Sequence, residues 1–99
     1  MPVTHVVLIK FKSTISEESR KEVLAKLEPL RSIPTVRSLK YGSNFSDRSQ
    51  GYTHGLVAEF DDPSGLSTYD AHTLHQEYVK ETLRPAAESI LAFDFDPTA

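Results

Sequence analysis

Four histidines and one tyrosine are the residues of this chain whose types and spacing could carry out proton-transfer chemistry. His5 and His54 fall on the apolar faces of two strand-like segments, and His72 and His75 follow Tyr69 at steps of three residues. Imidazole gains and loses its proton near neutral pH, and a phenol in a partly dry cleft remains a hydrogen-bond donor. Such groups in one cleft can remove a proton next to a carbonyl and stabilise the negative charge that develops, without a metal or an organic cofactor.

The spacing of Tyr69 and His75 sets a geometric condition on any site that they share. On one ideal helix, a separation of six residues is a rotation of about 240°, so the two side chains would face apart. We therefore predict that the helix breaks around Ala71 to Thr73. In the alternative interpretation, Tyr69 packs its ring on the core with an exposed hydroxyl, while His75 and His72 lie on the surface near a helix start.

His5 and His54 allow three interpretations. As structural residues, each would donate a ring proton to a backbone carbonyl or a hydroxyl and so fix the position of its strand. As functional residues, they would orient a polar end of a substrate or tune the electrostatics of a pocket. A third interpretation gathers all four histidines as metal ligands, but the spacing of His72 and His75 differs from the i, i+4 spacing that places two ligands on one helix face. We therefore predict no metal site.

The hydrophobic pattern predicts the elements that must position these side chains. Strand-like alternation marks the segments 3–11, 36–41, 52–60 and 90–95. Helices are predicted from Ser16 to about Glu28, from about Leu66, and from about Leu74 to Arg84, with Pro85 kinking or restarting the last one. This order predicts an α+β fold with an antiparallel four-stranded sheet and helices on one face.

Several predicted strands carry apolar residues on both faces. In the first strand, Val6 and Leu8 lie opposite Val7 and Ile9. Helices on one side leave the other face of the sheet bare, so we expect that face to pack against a second copy of the chain as a homodimer. Asp94, near the end of the chain, is expected to be solvated or to contact the partner.

Composition and length narrow the classes of function. A chain of 99 residues fits one domain, predicted over residues 1–99, and a net charge of -3 with scattered basic residues argues against nucleic acid as a partner. No segment approaches the ~20 apolar residues of a membrane span, and a strand follows the first residues directly, so we predict no membrane association and a cytoplasmic location. The lack of cysteine excludes disulfides and a cysteine nucleophile. No glycine-rich phosphate loop or serine nucleophile elbow is present.

Three segments carry a resemblance to a known family. They are Thr4-His5-Val6-Val7-Leu8-Ile9-Lys10-Phe11-Lys12, Gly51-Tyr52-Thr53-His54 and Tyr69-Asp70-Ala71-His72-Thr73-Leu74-His75, accompanied by Ile33-Pro34 and the closing Phe93-Asp94-Phe95. Through these segments nearly the whole chain resembles the stress-responsive dimeric α/β-barrel (Dabb) family. The resemblance implies a ferredoxin-like protomer whose sheet packs on its twin to form a barrel, with a cleft between sheet and helices in each subunit.

Within this family, the chain is particularly similar to plant polyketide cyclases. That likeness implies a cofactor-free enzyme in which His75 and Tyr69 are the catalytic pair of an intramolecular aldol-type ring closure. The residues implied to bind substrate are His5, His54, His72, Leu24 and Leu27. The pocket is expected to differ in shape, because Val23, Leu24 and Leu27 stand on the first helix where the cyclases have aromatic residues. The alternative is a non-catalytic, stress-responsive dimer that binds a small apolar or polyketide-like ligand.

Overall fold

Four strands and four α-helices follow one another in the computed structural model, which describes residues 1–99. The strands are β1 (Val3–Phe11), β2 (Ser38–Ser43), β3 (His54–Phe60) and β4 (Ala87–Phe95). The helices are α1 (Glu17–Ala25), α2 (Pro63–Ala71), α3 (Thr73–Tyr78) and the one-turn α4 (Arg84–Ala86). A 3₁₀ segment (Glu28–Ser32) follows α1, and a π-helical segment (Val79–Leu83) joins α3 to α4.

β1 and β3 form the centre of a fully antiparallel sheet whose strand order is β2-β3-β1-β4. His5 of β1 lies opposite Ala58 of β3 on one side and Asp94 of β4 on the other. The predicted α+β fold, with an antiparallel four-stranded sheet and helices on one face, is confirmed. A side chain on β1 is therefore held between two neighbouring strands.

The helices cover one face of the sheet and enclose the core there. Every second residue of β1, from Val3 to Phe11, is buried on this face, which includes His5 at 7% exposure. The largest fully buried side chains are Tyr69, Phe60, Ile9, Leu27, Leu30, Ile33 and Leu39. Burial of each aliphatic or phenylalanine side chain contributes about 1.5–3 kcal/mol, so this layer supplies much of the drive to fold.

α2 begins at Pro63, and the predicted start near Leu66 is too late. The carboxylate of Asp62 accepts the N–H of Gly65 at 2.8 Å and so caps the first turn. Proline at the first helical position suits this start, because its fixed φ is helical and its missing N–H would be unpaired there anyway. Asp62 and Pro63 therefore form the start of the helix.

The strands β2 and β4 also differ from their predicted bounds. β2 runs two residues later, because its pairing with β3 extends as far as Ser43 opposite His54. β4 begins at Ala87 and not at Ile90, because the end of β1 pairs with it as far as Phe11 opposite Ala87. In both cases the neighbouring strand extends the pairing beyond the alternating apolar run.

A tight turn before β3 separates Tyr52 from the strand to which it was assigned. Gln50 has φ 56° and Gly51 has φ 91°, both in the left-handed region that glycine adopts without strain. The strand therefore begins at His54. The hydroxyl of Tyr52 lies 3.3 Å from Oγ of Ser89, on the sheet face opposite the helices. Strand alternation through His54 and Leu56 predicts Tyr52 on the core face, and that prediction is wrong.

The second face of the sheet is apolar and no element of the chain covers it. We call it the bare face; its apolar side chains are Val6, Leu8, Val57, Leu91, Phe93 and Phe95. Phe93 is 63% exposed and Phe95 is 42% exposed. Large apolar patches of this kind usually mark an interface. None of the helices is long and apolar enough to cross a membrane.

Candidate active site

A cavity of about 440 Å³ lies between the helix side of the sheet and the segment from α2 to α4. We call it the sheet–helix cavity. Its lining residues are His5, Val7, Leu27, Leu56, Tyr69, Asp70, His75, Tyr78, Val79, Leu83, Arg84, Ile90, Ala92 and Asp94. Apolar walls with a few polar groups are typical of a pocket for a small organic molecule.

Tyr69 and His75 meet in this cavity because the chain breaks between α2 and α3. His72 has extended backbone angles, φ -65° and ψ 139°, and ends one helix while starting the next. The ring centroids of Tyr69 and His75 are 4.5 Å apart, with the ring planes inclined at 49°. The break predicted from their six-residue spacing is therefore present and brings both rings to one side of the fold.

Tyr69 provides a protonated phenol inside the cavity. Its residue is 2% exposed, and its ring packs 5.1 Å from that of Phe60 and 6.1 Å from that of His5, centroid to centroid. Burial, together with the nearby negative charge of Asp70, raises the pKa of Tyr69 to about 12. The Tyr69 hydroxyl makes no hydrogen bond within the protein, whereas that of Tyr78 donates to the Val23 carbonyl at 3.0 Å. Tyr69 is thus free to donate to a bound molecule.

His75 provides a neutral imidazole with one free nitrogen. Its Nδ1 lies 3.1 Å from the carbonyl oxygen of Asp70. A carbonyl can only accept, so Nδ1 carries the proton and the neutral ring keeps its free lone pair on Nε2. Burial lowers the pKa of His75 below its ordinary value of 6.5, against the opposing effect of this hydrogen bond. At neutral pH the ring can therefore accept a proton.

His5 forms a hydrogen bond with Asp94. The sequence predicted Asp94 to be solvated or to contact the partner subunit. The two residues are directly opposite in the β1–β4 pairing. Nδ1 of His5 donates to a carboxylate oxygen of Asp94. A carboxylate partner fixes the orientation and the tautomer of the ring. The antiparallel register of the first and last strands would have revealed this pair, but the sequence alone does not specify that register.

His54 lies away from the sheet–helix cavity. It pairs with Ile9, four positions along β3 from the residue opposite His5, which corresponds to about 13 Å along the strand. Its ring packs edge-on against Phe11 at 4.9 Å between centroids, and its buried Nδ1 has no hydrogen-bond partner. Burial, reinforced by the positive charge of Arg20, lowers the pKa of His54. The strand alternation correctly predicted that His54 lies on the core face, but it could not predict how far along the strand His54 lies from His5.

His72 and Leu24 also lie outside the cavity. His72 sits at the junction of α2 and α3, where its Nδ1 accepts the N–H of Leu74 at 3.1 Å and its own N–H donates to the carbonyl of Tyr69. Leu24 packs at the edge of the core, whereas Leu27, one turn later, lines the cavity. Thus His75, Tyr69, His5 and Leu27 are brought together, and the other proposed substrate-binding residues are not.

The four histidines do not form a metal site. The structure contains no group of three or more histidine, aspartate or glutamate side chains that could hold a metal ion. His5 and His75 share the cavity, but His54 and His72 lie elsewhere. The interpretation that gathered all four rings around one ion has no support in their arrangement.

The π-helical segment adds Tyr78 and Arg84 to the cavity lining, beside Val79 and Leu83, which the α-helical period already predicts on the apolar side of this helix. Tyr78 and Leu83 are five positions apart, as are Val79 and Arg84, and all four line the cavity. Residues five apart share a face only where hydrogen bonds run from i+5 to i, as they do in a π-helix. A sequence pattern built on the α-helical period cannot reveal this face.

Comparison with known proteins agrees with this architecture. The chain matches the Stress responsive A/B Barrel Domain over residues 3–97. It is 30% identical to the stress-response A/B barrel domain-containing protein HS1 of Arabidopsis thaliana, across 99% of this chain and 92% of that protein. It is 27% identical to olivetolic acid cyclase of Cannabis sativa, across 98% of each chain.

Solved structures show the same fold. The hydroxynitrile lyase from Passiflora edulis superposes with a TM-score of 0.86 at 25% identity, covering 95% of this chain and 91% of that one. A dimeric ferredoxin-like protein of unknown function from Thermobifida fusca superposes with a TM-score of 0.85 at 22% identity, covering 96% and 90%. The fold is therefore ferredoxin-like, and the chain belongs to the stress-responsive A/B barrel domain (Dabb) family.

Proposed function

We propose that this protein is a cytoplasmic, single-domain homodimeric enzyme that closes a ring in a β-polyketide or a related 1,3-dicarbonyl compound. The reaction is an intramolecular aldol-type condensation that uses His75 and Tyr69 and no cofactor. Two relatives support an enzymatic role, since one is named as a cyclase and the other as a lyase.

The observation that carries the proposal is the pairing of a neutral base with a protonated phenol in one cavity. Nδ1 of His75 is committed to the Asp70 carbonyl, so Nε2 is the free base. The hydroxyl of Tyr69, on a ring whose centroid lies 4.5 Å from that of His75, has no partner in the protein. A base and a donor on neighbouring rings that line one cavity can act on the same substrate.

The proposed reaction starts at a carbon that lies between two carbonyl groups. Nε2 of His75 takes a proton from this carbon, and the resulting enolate carbon attacks a distant carbonyl carbon of the same molecule. A carbon–carbon bond forms while the electron pair of that C=O bond moves to its oxygen, which takes a proton from the Tyr69 hydroxyl or from the protonated His75. Loss of water then restores conjugation in the product. His75 ends the cycle neutral and Tyr69 ends it protonated, as at the start.

The other lining residues have supporting roles in this proposal. His5, fixed by Asp94, faces the same cavity and orients a polar substrate oxygen. Leu27 and Leu56 provide apolar wall for the body of the substrate. His54, His72 and Leu24 are not assigned to the substrate, because they do not line this cavity.

The bare face supports the proposed homodimer. Phe93 and Val6 are direct neighbours across β1 and β4, and both project away from the helices. A second copy would bury this surface, and the Thermobifida fusca protein of the same fold is described as dimeric. Small chains bury a low share of their surface alone, so the interface would also stabilise each protomer.

A single experiment separates this proposal from a non-catalytic ligand-binding dimer. The purified protein is incubated with a linear trioxo acid, and the products are followed by mass spectrometry and NMR. We expect an aromatic product lighter by one water, formed faster than without protein and not formed faster by a His75→Ala, Tyr69→Phe double variant. Binding of the acid to the wild-type protein without accelerated ring closure would favour the non-catalytic function and overturn the proposal.

A further inference from the structure

Arg84 is the only permanent cation that lines the sheet–helix cavity. The other charged lining residues are Asp70 and Asp94, and Asp94 is engaged with His5. None of the five ion pairs of the protein includes Arg84, and its guanidinium makes no hydrogen bond to another protein group. A guanidinium has five N–H donors in a planar fork that matches a carboxylate, so Arg84 is available to bind an anion.

The backbone of the π-helical segment is what places Arg84 at the cavity. The N–H of Arg84 donates to the carbonyl of Val79, five residues earlier. In an α-helix, residues five apart are rotated by about 140° from each other, so Arg84 would face away from Val79. The wider π turn places both on one face, and both line the cavity. π-helical turns are rare and occur frequently at functional sites.

The sheet–helix cavity is apolar at its buried end and charged at its solvent-exposed end. Leu27 and Leu56 are 1% and 5% exposed and form an apolar floor, whereas Arg84 is exposed to solvent. A ligand that fits both regions has an apolar body and one anionic end. A charge at the mouth keeps part of its hydration, so its binding does not require the full cost of burial.

We propose that Arg84 binds the carboxylate of an acidic substrate in the sheet–helix cavity, with the apolar body of the substrate against Leu27 and Leu56. The inference rests on the proposed function and specifies its substrate class: an oxo acid with a free carboxylate, in preference to its ester. Pairing with the guanidinium also offsets the negative charge of that carboxylate while a neighbouring carbon loses its proton to His75. Arg84 thus determines specificity and supports enolate formation.

The test uses equilibrium binding, which does not depend on turnover. Titration calorimetry and NMR titration measure the affinity of the full-length protein for 2,4-dihydroxybenzoate and for its methyl ester. We expect the wild-type protein to bind the acid at least about tenfold more tightly than the ester. Arg84→Met should abolish this preference by weakening the acid alone, and Arg84→Lys should retain part of it, because lysine keeps the charge but loses the fork.

Arg48→Met is the matched control. Arg48 is an exposed arginine of the loop before β3 and lines none of the cavity, so its variant should keep the full preference for the acid. Circular dichroism of each variant checks that the fold is intact. Equal affinity for acid and ester in the wild-type protein, no binding of either, or an unchanged preference in Arg84→Met would each overturn the inference. A preference for the acid without ring closure would leave the inference standing and remove the proposed function.

Discussion

The rings of Tyr69 and His75 are in contact although the two residues belong to different helices. Their centroids are 4.5 Å apart, and the extended backbone of His72 between α2 and α3 makes this approach possible. The phenol has a pKa raised to about 12 and the imidazole has a lowered pKa, in both cases mainly because burial disfavours the charged form. At neutral pH the pair therefore consists of a proton donor and a proton acceptor.

Replacement of either member of this pair should reduce ring closure while leaving the fold intact. We expect His75→Ala to lower kcat by about 10²- to 10⁴-fold, since a positioned general base contributes that much. Tyr69→Phe should cost roughly 10²- to 10³-fold, as for the loss of one oxyanion donor. Single-turnover rates and urea unfolding of both variants, with Tyr52→Phe as a control outside the cavity, provide the measurement. Undiminished rates in either of the first two variants would remove that residue from the mechanism.

The pH dependence of ring closure should have an acid limb below pH 6.5 and an alkaline limb near pH 12. Below its lowered pKa, His75 is protonated and cannot accept a proton, so the rate falls as the pH decreases through that value. Above about 12, Tyr69 loses the proton that it donates. Stopped-flow rates across the pH range, limited to conditions where circular dichroism shows a folded protein, measure both limbs. An acid limb centred above pH 6.5 would contradict a base with a depressed pKa.

The lowered pKa of His75 also predicts how the stability of the fold depends on pH. The unfolded state regains the ordinary histidine pKa of 6.5 and binds the proton more tightly than the folded state, in which the pKa of His75 is lowered. The free energy of unfolding should therefore rise with pH through the window below 6.5 and lose this contribution as the pH falls through it. Urea unfolding of the wild type and of His75→Gln between pH 5 and 7 compares the slopes. An equal slope in both proteins would assign the effect to other groups.

Asp94 is expected to act as a positioning residue through His5. Asp94→Asn replaces one carboxylate oxygen by an amide nitrogen that cannot accept, which weakens the hydrogen bond that orients His5, and should lower kcat by roughly five- to tenfold. Asp47→Asn, in an exposed loop, is the control for the change in net charge. The kcat and KM of Asp94→Asn and Asp94→Glu are compared with those of the wild type, because partial recovery of kcat by the glutamate carboxylate distinguishes positioning of His5 from a loss of fold. An unchanged kcat in Asp94→Asn would contradict the assignment.

A charge on the bare face should separate the two protomers. Phe93→Glu places a carboxylate at a side chain that is 63% exposed in the single chain and central to the proposed interface. Sedimentation velocity should show a dimer for the wild type and a monomer for the variant, because an unpaired charge at an interface is costly to desolvate. Phe45→Glu is the control, since Phe45 is fully exposed in a loop and touches neither face of the sheet. A wild-type monomer at micromolar concentration would remove the homodimer from the proposal.

Shortening a core side chain that does not line the sheet–helix cavity should lower the free energy of unfolding. Phe11 is 3% exposed, packs on His54 and does not line the cavity. Phe11→Ala should therefore destabilise the fold by about 3–5 kcal/mol, while Phe45→Ala should remain within about 0.5 kcal/mol of wild type. Urea midpoints with constant m-values measure both. A midpoint near wild type for Phe11→Ala would place this side chain outside the structural core.

Sequence reasoning located the central strand and the break near His72 but missed two features of the site. The alternation in β1 predicted His5 on the core face, and the spacing of Tyr69 and His75 required the break that the structure contains. The contact between His5 and Asp94 joins residues 89 positions apart, which no local pattern encodes. The π-helical segment was missed because its period differs from the one used to read helices.

Apart from Tyr52, which the turn before β3 removes from the strand, the sequence by itself determined which strand side chains face the core, since the period of a strand is a local property of the backbone. It also contained the family resemblance and the bare apolar face of the sheet. Only the tertiary structure decided which of the inward-facing groups meet: strand register places His54 about 13 Å along β3 from the position opposite His5, and helix docking brings His75 and Arg84 to the cavity. The reason is that register and docking depend on contacts between distant segments, whose free energies are settled only when the whole core packs.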